Sequence, residues 1–355
     1  MTIRVGVIGV NYGGRVHIPA YRNNPSYEVV AVCARAPERA QAAAREHQIP
    51  NWYTDARQLI TSSDVDLISI ASPPRTHSGF AAAALAAGKH TVVEIAYVAS
   101  TLEARVLQDM AAEVRRMGVP AFVLRYTPVL RLISDLLAQN KIGAPRLMRF
   151  ELLNDFLATP GQAARWMWDA DNGGGILAGF VSHAIDLALR WFGPVREVDA
   201  TLATLAEEMV PNGTAPLTSL ADDTGFVTLH FESGMLATFS HSAVTAYPRT
   251  SIELHGSAGS VLIEGFGDEA AFLPLGGRTA QTLYAPEQYL EETRGHSGLM
   301  GGFDLFLDRL AVAIAKGGAP ADLPTLADGL EVTRIVDAAK MASRQHRRIK
   351  LSEVK

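Results

Sequence analysis

The chain has 355 residues, of which 48% are hydrophobic and 19% charged, and its formal net charge at pH 7 is -5. Such a chain can bury a sizeable core, which excludes a disordered protein, and its length favours two domains. The small acidic excess and the lack of any Lys/Arg-rich run argue against nucleic acid as a partner.

The first third of the chain predicts parallel β-α-β units. Short apolar runs alternate with helical patterns, and the runs lie at Ile3–Ile8, Val29–Cys33, Leu67–Ala71 and Thr91–Val93. Val and Ile at successive positions are typical of a parallel sheet covered by helices on both faces. We therefore predict a Rossmann domain over residues 1–123. The lone Cys33 excludes an internal disulfide and fits a reducing compartment.

The remainder predicts a different architecture. From Arg146 onward the apolar residues alternate, as in Gly225–Phe231, the turn at Ser233-Gly234 and the run Met235–Phe239. This pattern indicates hairpins and an α+β domain with a largely antiparallel open sheet over residues 124–355. One face of such a sheet needs a partner subunit, so we expect a homodimer or homotetramer.

Neither a membrane nor an export signal is expected. No stretch approaches the roughly 18 to 20 uninterrupted apolar residues needed to span a bilayer. The opening segment is broken by Gly6 and Gly9 and is typical of a strand, not a signal peptide. We therefore expect a cytoplasmic protein that binds a small molecule and does not associate with membranes.

A glycine-containing turn follows the first strand. Gly9, Gly13 and Gly14 lie where a pyrophosphate can approach backbone N–H groups at a helix start. Asn11 occupies the second glycine position of the usual G-x-G-x-x-G, and Tyr12 follows it; the alternative to a nucleotide site is an ordinary glycine turn.

The residue after the second strand indicates which dinucleotide is preferred. An NAD enzyme usually has an acidic side chain there, but this chain has Ala34 followed by Arg35, with Arg39 one helical turn further on. Because arginine pairs well with a 2′-phosphate, we predict NADP as the preferred cofactor and NAD as the alternative. A solvated Arg35 is the competing interpretation.

Five stretches resemble one family in order and spacing. They are Val7–His17, Ser72–His77, Ala86–His90, Arg125–Pro128 and the glycine run Gly173–Leu177 leading to Ser182–Asp186. In these the chain resembles the Gfo/Idh/MocA family of oxidoreductases over nearly its whole length. The resemblance implies a Rossmann domain, an open-sheet domain, and a cofactor lying along the glycine turn, Ser72-Pro73 and Glu94. His77 also matches a family position near the cofactor, although it could equally be a packing or capping residue.

Two positions depart from the family pattern. Ile95 follows Glu94 where the family usually has a lysine, and Gly179 stands where the family usually has an aspartate four residues before a histidine. Other branches with an apolar residue in the lysine position include both dehydrogenases and a protein without enzymatic activity. The alternative to an enzyme is therefore a catalytically silent dinucleotide-binding regulator.

The remaining chemistry centres on His183. Hydride transfer needs one group that moves a proton near neutral pH, and His183 begins a helical segment after the glycine run. Asp186 lies three residues on, nearly on the same helix face, where it could orient the imidazole. A buried structural histidine is the alternative. The sequence shows neither a metal-ligand cluster nor a nucleophile motif.

Three aromatic residues are further candidates for substrate contact. Tyr97 and Tyr126 could replace the missing lysine as hydrogen-bond donors, and Trp166 precedes the glycine run where related enzymes build the substrate wall. A core aromatic explains each of them about as well. The predicted activity is hydride transfer to or from a small hydroxy or carbonyl compound such as a sugar or cyclitol.

Overall fold

The computed structural model describes two compact units. One comprises residues 1–122 and 303–331, and the other residues 123–302 and 332–355. The described residues are 2–114, 116–159, 164–211, 217–296, 298–318 and 320–355.

The segment 303–331 packs with the first unit, whereas the sequence analysis placed it in the second domain. Two hydrogen bonds fix it there. The Tyr27 hydroxyl donates to the Leu307 carbonyl at 2.8 Å, and the Asn24 side-chain amide donates to the Asp308 carboxylate at 2.7 Å. Both contacts join residues some 280 positions apart in sequence, which no local pattern signals.

The first unit is built on a six-stranded parallel sheet. Its strands are β1 (Ile3–Ile8), β2 (Tyr27–Cys33), β3 (Asn51–Tyr53), β4 (Leu67–Ile70), β5 (His90–Val93) and β6 (Gly118–Pro120). Their order is β3-β2-β1-β4-β5-β6, which is the order of a dinucleotide-binding Rossmann sheet. The order reverses between β1 and β4, so ligands of such sheets bind where these two strands end.

The second unit is built on a nine-stranded sheet in which only β7 and β10 pair in parallel. Its strands are β7 (Pro145–Leu153), β8 (Val195–Ala203), β9 (Thr224–Phe231), β10 (Leu236–Ser242), β11 (Arg249–Gly256), β12 (Gly259–Glu264), β13 (Glu269–Pro274), β14 (Gln281–Tyr284) and β15 (Ile349–Lys350). Together with the parallel sheet, this largely antiparallel sheet confirms the predicted fold class. The predicted hairpin is present as β9 and β10, joined at Gly234 with a φ of +87°.

Ten α-helices accompany the two sheets in the described part of the chain. They are α1 (Ile18–Arg22), α2 (Pro37–Glu46), α3 (Ala56–Thr61), α4 (His77–Ala86), α5 (Thr101–Glu113), α6 (Pro128–Ala138), α7 (Ser182–Phe192), α8 (Glu287–Glu292), α9 (Gly298–Lys316) and α10 (Leu326–Gln345). Segment Ala170–Phe192 is long and apolar enough to span a bilayer, but 67% of its most apolar window is buried inside the protein. That burial is typical of a core helix.

A buried ion pair joins α7 to the segment where the second unit begins. The Arg125 guanidinium donates from Nε and from one terminal nitrogen to the two oxygens of Asp186, at 2.7 and 2.6 Å. Both side chains are almost fully buried. Because burial desolvates both charges, removing one partner costs much more than breaking a surface pair.

We predict that Asp186→Asn lowers the free energy of unfolding by about 3 to 5 kcal/mol, since the buried guanidinium loses its counter-charge. Urea denaturation at pH 7 measures this loss. The matched control is Arg149→Gln, which breaks the exposed Arg149–Glu253 pair and should cost less than about 1 kcal/mol. Equal losses of unfolding free energy in the two variants would contradict the larger cost expected for the buried Arg125–Asp186 pair.

Candidate active site

The turn after β1 is shaped by a close approach to the end of β4. Gly9 has a φ of +100°, and a Cβ at this position would lie 2.4 Å from the Ala71 carbonyl oxygen. The Gly9 N–H donates to the Cys33 carbonyl at 2.9 Å, which ties the turn to β2 as well. Only glycine meets both constraints, and the resulting turn leaves room for a pyrophosphate beside the backbone.

The other positions of the turn have different requirements. A Cβ at Gly13 would lie 3.0 Å from the Val7 side chain, whereas the nearest atom to one at Gly14 is 3.8 Å away. Asn11 is exposed and does not adopt a positive φ, so its presence in place of glycine causes no strain. A π-helical turn, Gly13–His17, leads into α1; such turns are frequent at functional sites.

The two predicted phosphate-binding arginines flank this turn. Arg35 follows β2 and is exposed, and Arg39 lies in the first turn of α2. The Arg39 guanidinium donates to the Asn11 side-chain carbonyl, which holds it over the glycine turn. Arg15 and Arg39 also line one groove of about 430 Å³ beside Gly14. Glu46 and His47 line the same groove, so one carboxylate accompanies the two arginines there.

The segment after β4 is held by its own side chains. The hydroxyls of Ser72 and Thr76 lie 2.6 Å apart, and the Thr76 hydroxyl donates to the Pro73 carbonyl at 2.8 Å. This fixes Ser72 and Pro73 at the edge of the sheet, where the sequence predicted cofactor contact.

His77, for which the sequence leaves cofactor contact and packing both open, is hydrogen-bonded to three backbone carbonyls. Its ring nitrogens lie 2.6 Å from the Ser72 carbonyl and 3.0 and 3.1 Å from the Ala96 and Tyr97 carbonyls, and its side chain is buried. Burial lowers the pKa of His77, and the carbonyl oxygens that face both of its ring nitrogens act in the opposite direction. The ring contacts the segments that follow β4 and β5, as the packing alternative expects.

Glu94, at the end of β5, has a partner that the sequence analysis did not identify. One carboxylate oxygen lies 2.8 Å from His17 Nε2, and the other accepts from the Ile95 N–H at 2.9 Å. His17 Nδ1 lies 2.7 Å from the Ser69 hydroxyl on β4. His17 matched a family position, but its contact with Glu94 joins residues 77 positions apart and left no local signal.

Ile95 and Tyr97 belong to the core of the first unit. Ile95, in the position of the family lysine, packs against the core cluster, and Tyr97 lies within it beside Leu326 and Leu330. A Cβ at Gly329 would lie 2.6 Å from the Tyr97 ring. This packing favours the core-aromatic alternative for Tyr97 over donation to a substrate.

In the second unit, the glycine run positions the helix that carries His183. Gly175 has a φ of +107°, and a Cβ there would lie 2.3 Å from an Asp222 carboxylate oxygen. The other Asp222 oxygen accepts from the Leu177 N–H at 2.8 Å and lies 3.0 Å from His241 Nε2. A π-helical turn, Leu177–Val181, then leads into α7 with His183 in its first turn. Asp222 and His241 thus contact the segment that leads into α7, and no local sequence pattern indicated this.

The other predicted substrate residues lie in different surroundings. Asp186 accepts from Arg125 through both oxygens, so its carboxylate is held in the core of the second unit. Tyr126 is buried, and Trp166 is half-buried in a short 3₁₀ turn, Arg165–Trp168. A Cβ at Gly174 would lie 2.6 Å from the Trp166 carbonyl, so glycine allows this turn to pack closely.

The residues at the edge of the first unit fit a bound dinucleotide. The glycine-only turn at Gly9 and the strand order that reverses between β1 and β4 are two features of such a cofactor site. A third is the pair of arginines, Arg15 and Arg39, beside the turn.

Comparison with known proteins agrees with this geometry. Residues 3–122 match the family model of the oxidoreductase family, NAD-binding Rossmann fold, and residues 130–262 match that of the GFO/IDH/MocA C-terminal domain. Levoglucosan dehydrogenase of Pseudarthrobacter phenanthrenivorans is 28% identical, with 95% of each chain covered. D-apiose dehydrogenase of Paraburkholderia graminis is 24% identical, with 98% of this chain and 89% of the relative covered.

A solved structure shows the same fold. It is levoglucosan dehydrogenase in complex with NADH and levoglucosan, which superposes with a TM-score of 0.89 at 24% identity and covers 99% of this chain and all of its own. The two family models together span most of the chain, and they follow one another in the same order as the two sheets. The chain belongs to the Gfo/Idh/MocA family of NAD(P)-dependent oxidoreductases.

Proposed function

We propose that this protein is an NADP-preferring dehydrogenase or reductase of a sugar, a cyclitol or a related small hydroxy or carbonyl compound. The observation that carries the cofactor preference is Arg39, held over the glycine turn by Asn11, with Arg35 nearby and no acidic side chain at position 34. Guanidinium groups bind a 2′-phosphate through charge-assisted hydrogen bonds. NADH bound to a relative of known structure keeps NAD(H) as the alternative.

The names of the relatives support a sugar-like substrate. Levoglucosan and D-apiose are carbohydrates, and the relatives that carry these names match this chain over nearly its whole length. Polyhydroxylated substrates offer many hydroxyls to a site, so we expect specificity to come from hydrogen bonds made by the second unit.

His183 is the proposed proton donor and acceptor. The bound dinucleotide supplies or accepts the hydride, and one protein group has to move the accompanying proton. His183 has a suitable side chain for neutral pH and lies in the first turn of α7, which Asp222 holds in place. This chain has Ile95 and Gly179 where the family usually has a lysine and an aspartate. Of the residues that match the family pattern, His183 is therefore the one proposed to carry the proton.

We predict that NADPH binds more tightly than NADH by about one to two orders of magnitude, because one charge-assisted phosphate contact contributes about 1.5 to 3 kcal/mol. Fluorescence titration of both reduced cofactors measures the two Kd values. Arg35→Ala should weaken NADPH binding and spare NADH. The matched control is Arg57→Ala, an exposed arginine on α3, which should change neither Kd. Equal Kd values for the two cofactors, or tighter binding of NADH, would contradict the proposed preference for NADP.

Turnover on a panel of sugars, anhydro-sugars and their carbonyl forms tests the activity itself. With at least one compound, the wild-type protein should either oxidise the reduced cofactor or reduce the oxidised one, and cofactor fluorescence would fall or rise accordingly. A regulator would leave cofactor fluorescence unchanged with every compound. On that substrate, His183→Asn should lose about two to four orders of magnitude in kcat and keep the cofactor Kd.

The control for this variant is His230→Asn, which removes a half-buried histidine paired with Asp199 on the sheet and should retain wild-type kcat. If His183→Asn kept wild-type kcat, another group or water would be the proton carrier. If it lost the fold as well, His183 would be structural.

We also propose that the open face of the second sheet forms a subunit interface. Phe226 on β9 is 62% exposed and Leu236 on β10 is 39% exposed, while the alternating residues of the same strands are buried. Light scattering should give a mass above the 38.1 kDa of the monomer. Phe226→Asp should lower that mass, whereas Tyr247→Asp, at an exposed loop tyrosine, should not. A monomer mass for the wild type at micromolar concentration would contradict the proposal.

A further inference from the structure

We propose that His17 is a positioning residue for the dinucleotide, which acts by holding the Glu94 carboxylate ionised and in a fixed orientation. This inference rests on the proposed function, which brings the cofactor to Glu94. The motif around the first turn explains the glycines, but it does not explain why a fully buried imidazole lies against this carboxylate.

Four side chains form one continuous hydrogen-bonded chain. The Tyr21 hydroxyl donates to the Ser69 hydroxyl at 3.3 Å, the Ser69 hydroxyl lies 2.7 Å from His17 Nδ1, and His17 Nε2 lies 2.8 Å from Glu94. Tyr21, Ser69 and His17 are buried, and only Glu94 reaches the surface, with 13% of its side chain exposed. This series of hydrogen bonds therefore begins inside the protein at Tyr21 and ends at Glu94, where a ligand can reach it.

The directions of these hydrogen bonds follow from which of the four side chains can donate a proton. Burial raises the pKa of Tyr21, so its hydroxyl remains a donor at every working pH. Because Ser69 accepts from Tyr21, its own proton is available for His17 Nδ1. His17 then carries its proton on Nε2 and donates it to Glu94. In this arrangement His17 is a side-chain donor to the carboxylate, and the Ile95 N–H is a backbone donor to it.

Aromatic rings surround the His17 imidazole that contacts Glu94. Phe303 packs on the His17 ring with the centroids 4.7 Å apart, and Tyr12 contacts its edge at 5.7 Å. Burial and then the charge of Glu94 raise the pKa of Tyr12, so Tyr12 is neutral. His77 is held by three backbone carbonyls and interacts with the charge of Glu94, and Ile95 takes the place of the family lysine. The cationic Arg15 acts on Tyr12 from the same turn.

Losing the donor has a defined electrostatic consequence. A carboxyl group that is mostly buried and deprived of a hydrogen bond to its charged form titrates at a higher pH. Without His17, Glu94 should therefore become protonated as the pH falls, and it should then accept less well from a ribose hydroxyl. In the wild type it should stay ionised over the same range.

The test uses His17→Asn and His17→Gln in the full chain. Asparagine reaches only the position of Nδ1 and keeps the Ser69 contact, whereas glutamine is long enough to place a donor near Glu94. The Kd of NADP⁺ or NAD⁺, whichever the wild type binds more tightly, is measured from pH 5.5 to 8.5. Taking the ratio of each variant's Kd to the wild-type Kd at every pH cancels the titration of the cofactor itself.

We expect the ratio for His17→Asn to reach about ten at pH 5.5 and to fall toward one at pH 8.5, and the ratio for His17→Gln to stay near one. Glu94→Gln should bind weakly at every pH, and adding His17→Asn to it should cause no further loss. The matched control is Tyr27→Phe, which removes a neighbouring buried hydrogen bond to Leu307 and should leave the ratio at one.

A pH-independent ratio near one for His17→Asn, or additive losses in the double variant, would overturn the inference. NMR of histidine ¹⁵N in the wild-type protein without cofactor gives a second readout that needs no variant. Protonation of His17 at Nδ1 alone would also overturn it. If the wild-type protein bound neither dinucleotide, the proposed function would fail instead, so the two failures are distinguishable.

Discussion

The close approach of the backbone at Gly9 to the carbonyl of Ala71 is the constraint on which the cofactor site depends. It joins the ends of β1 and β4, the two strands between which the sheet order reverses. A Cβ at position 9 would lie 2.4 Å from that carbonyl oxygen and 2.8 Å from the Ser72 nitrogen, so any other side chain would push the two segments apart. The turn and the Ser72 segment therefore lie as close together as they do because position 9 is glycine.

The same edge shows how buried polar groups can fix a functional surface. His77 joins the segment after β4 to the segment after β5 through three backbone carbonyls, and His17 joins β4 to Glu94 at the end of β5. Both histidines thus link neighbouring strand ends of the first unit. Fully satisfied networks of this kind hold an orientation more firmly than apolar packing alone.

The sequence predicted the elements and the chemistry of the turn, because both depend on local patterns. Strand alternation, the glycine positions and the switch to a period of two after Arg146 all lie within short windows. What it could not predict were pairings across long separations, such as Glu94 with His17, Asp222 with the start of α7, and Arg125 with Asp186. It also assigned 303–331 to the wrong unit, since helical periodicity does not say which sheet a helix covers.

The lysine and the aspartate that are usual in the family are replaced here by Ile95 and Gly179, and the surroundings of these two positions differ. A Cβ at Gly179 has no atom within 4 Å, so packing does not prevent an aspartate there. Ile95 instead packs against the core cluster beside Tyr97, and a lysine in its place would carry its stem into an apolar environment. Burial lowers the pKa of such an ammonium and makes its charged form costly unless a partner is provided. Restoring Lys at position 95 therefore need not raise activity, because Glu94 is already engaged by His17 and by the Ile95 N–H.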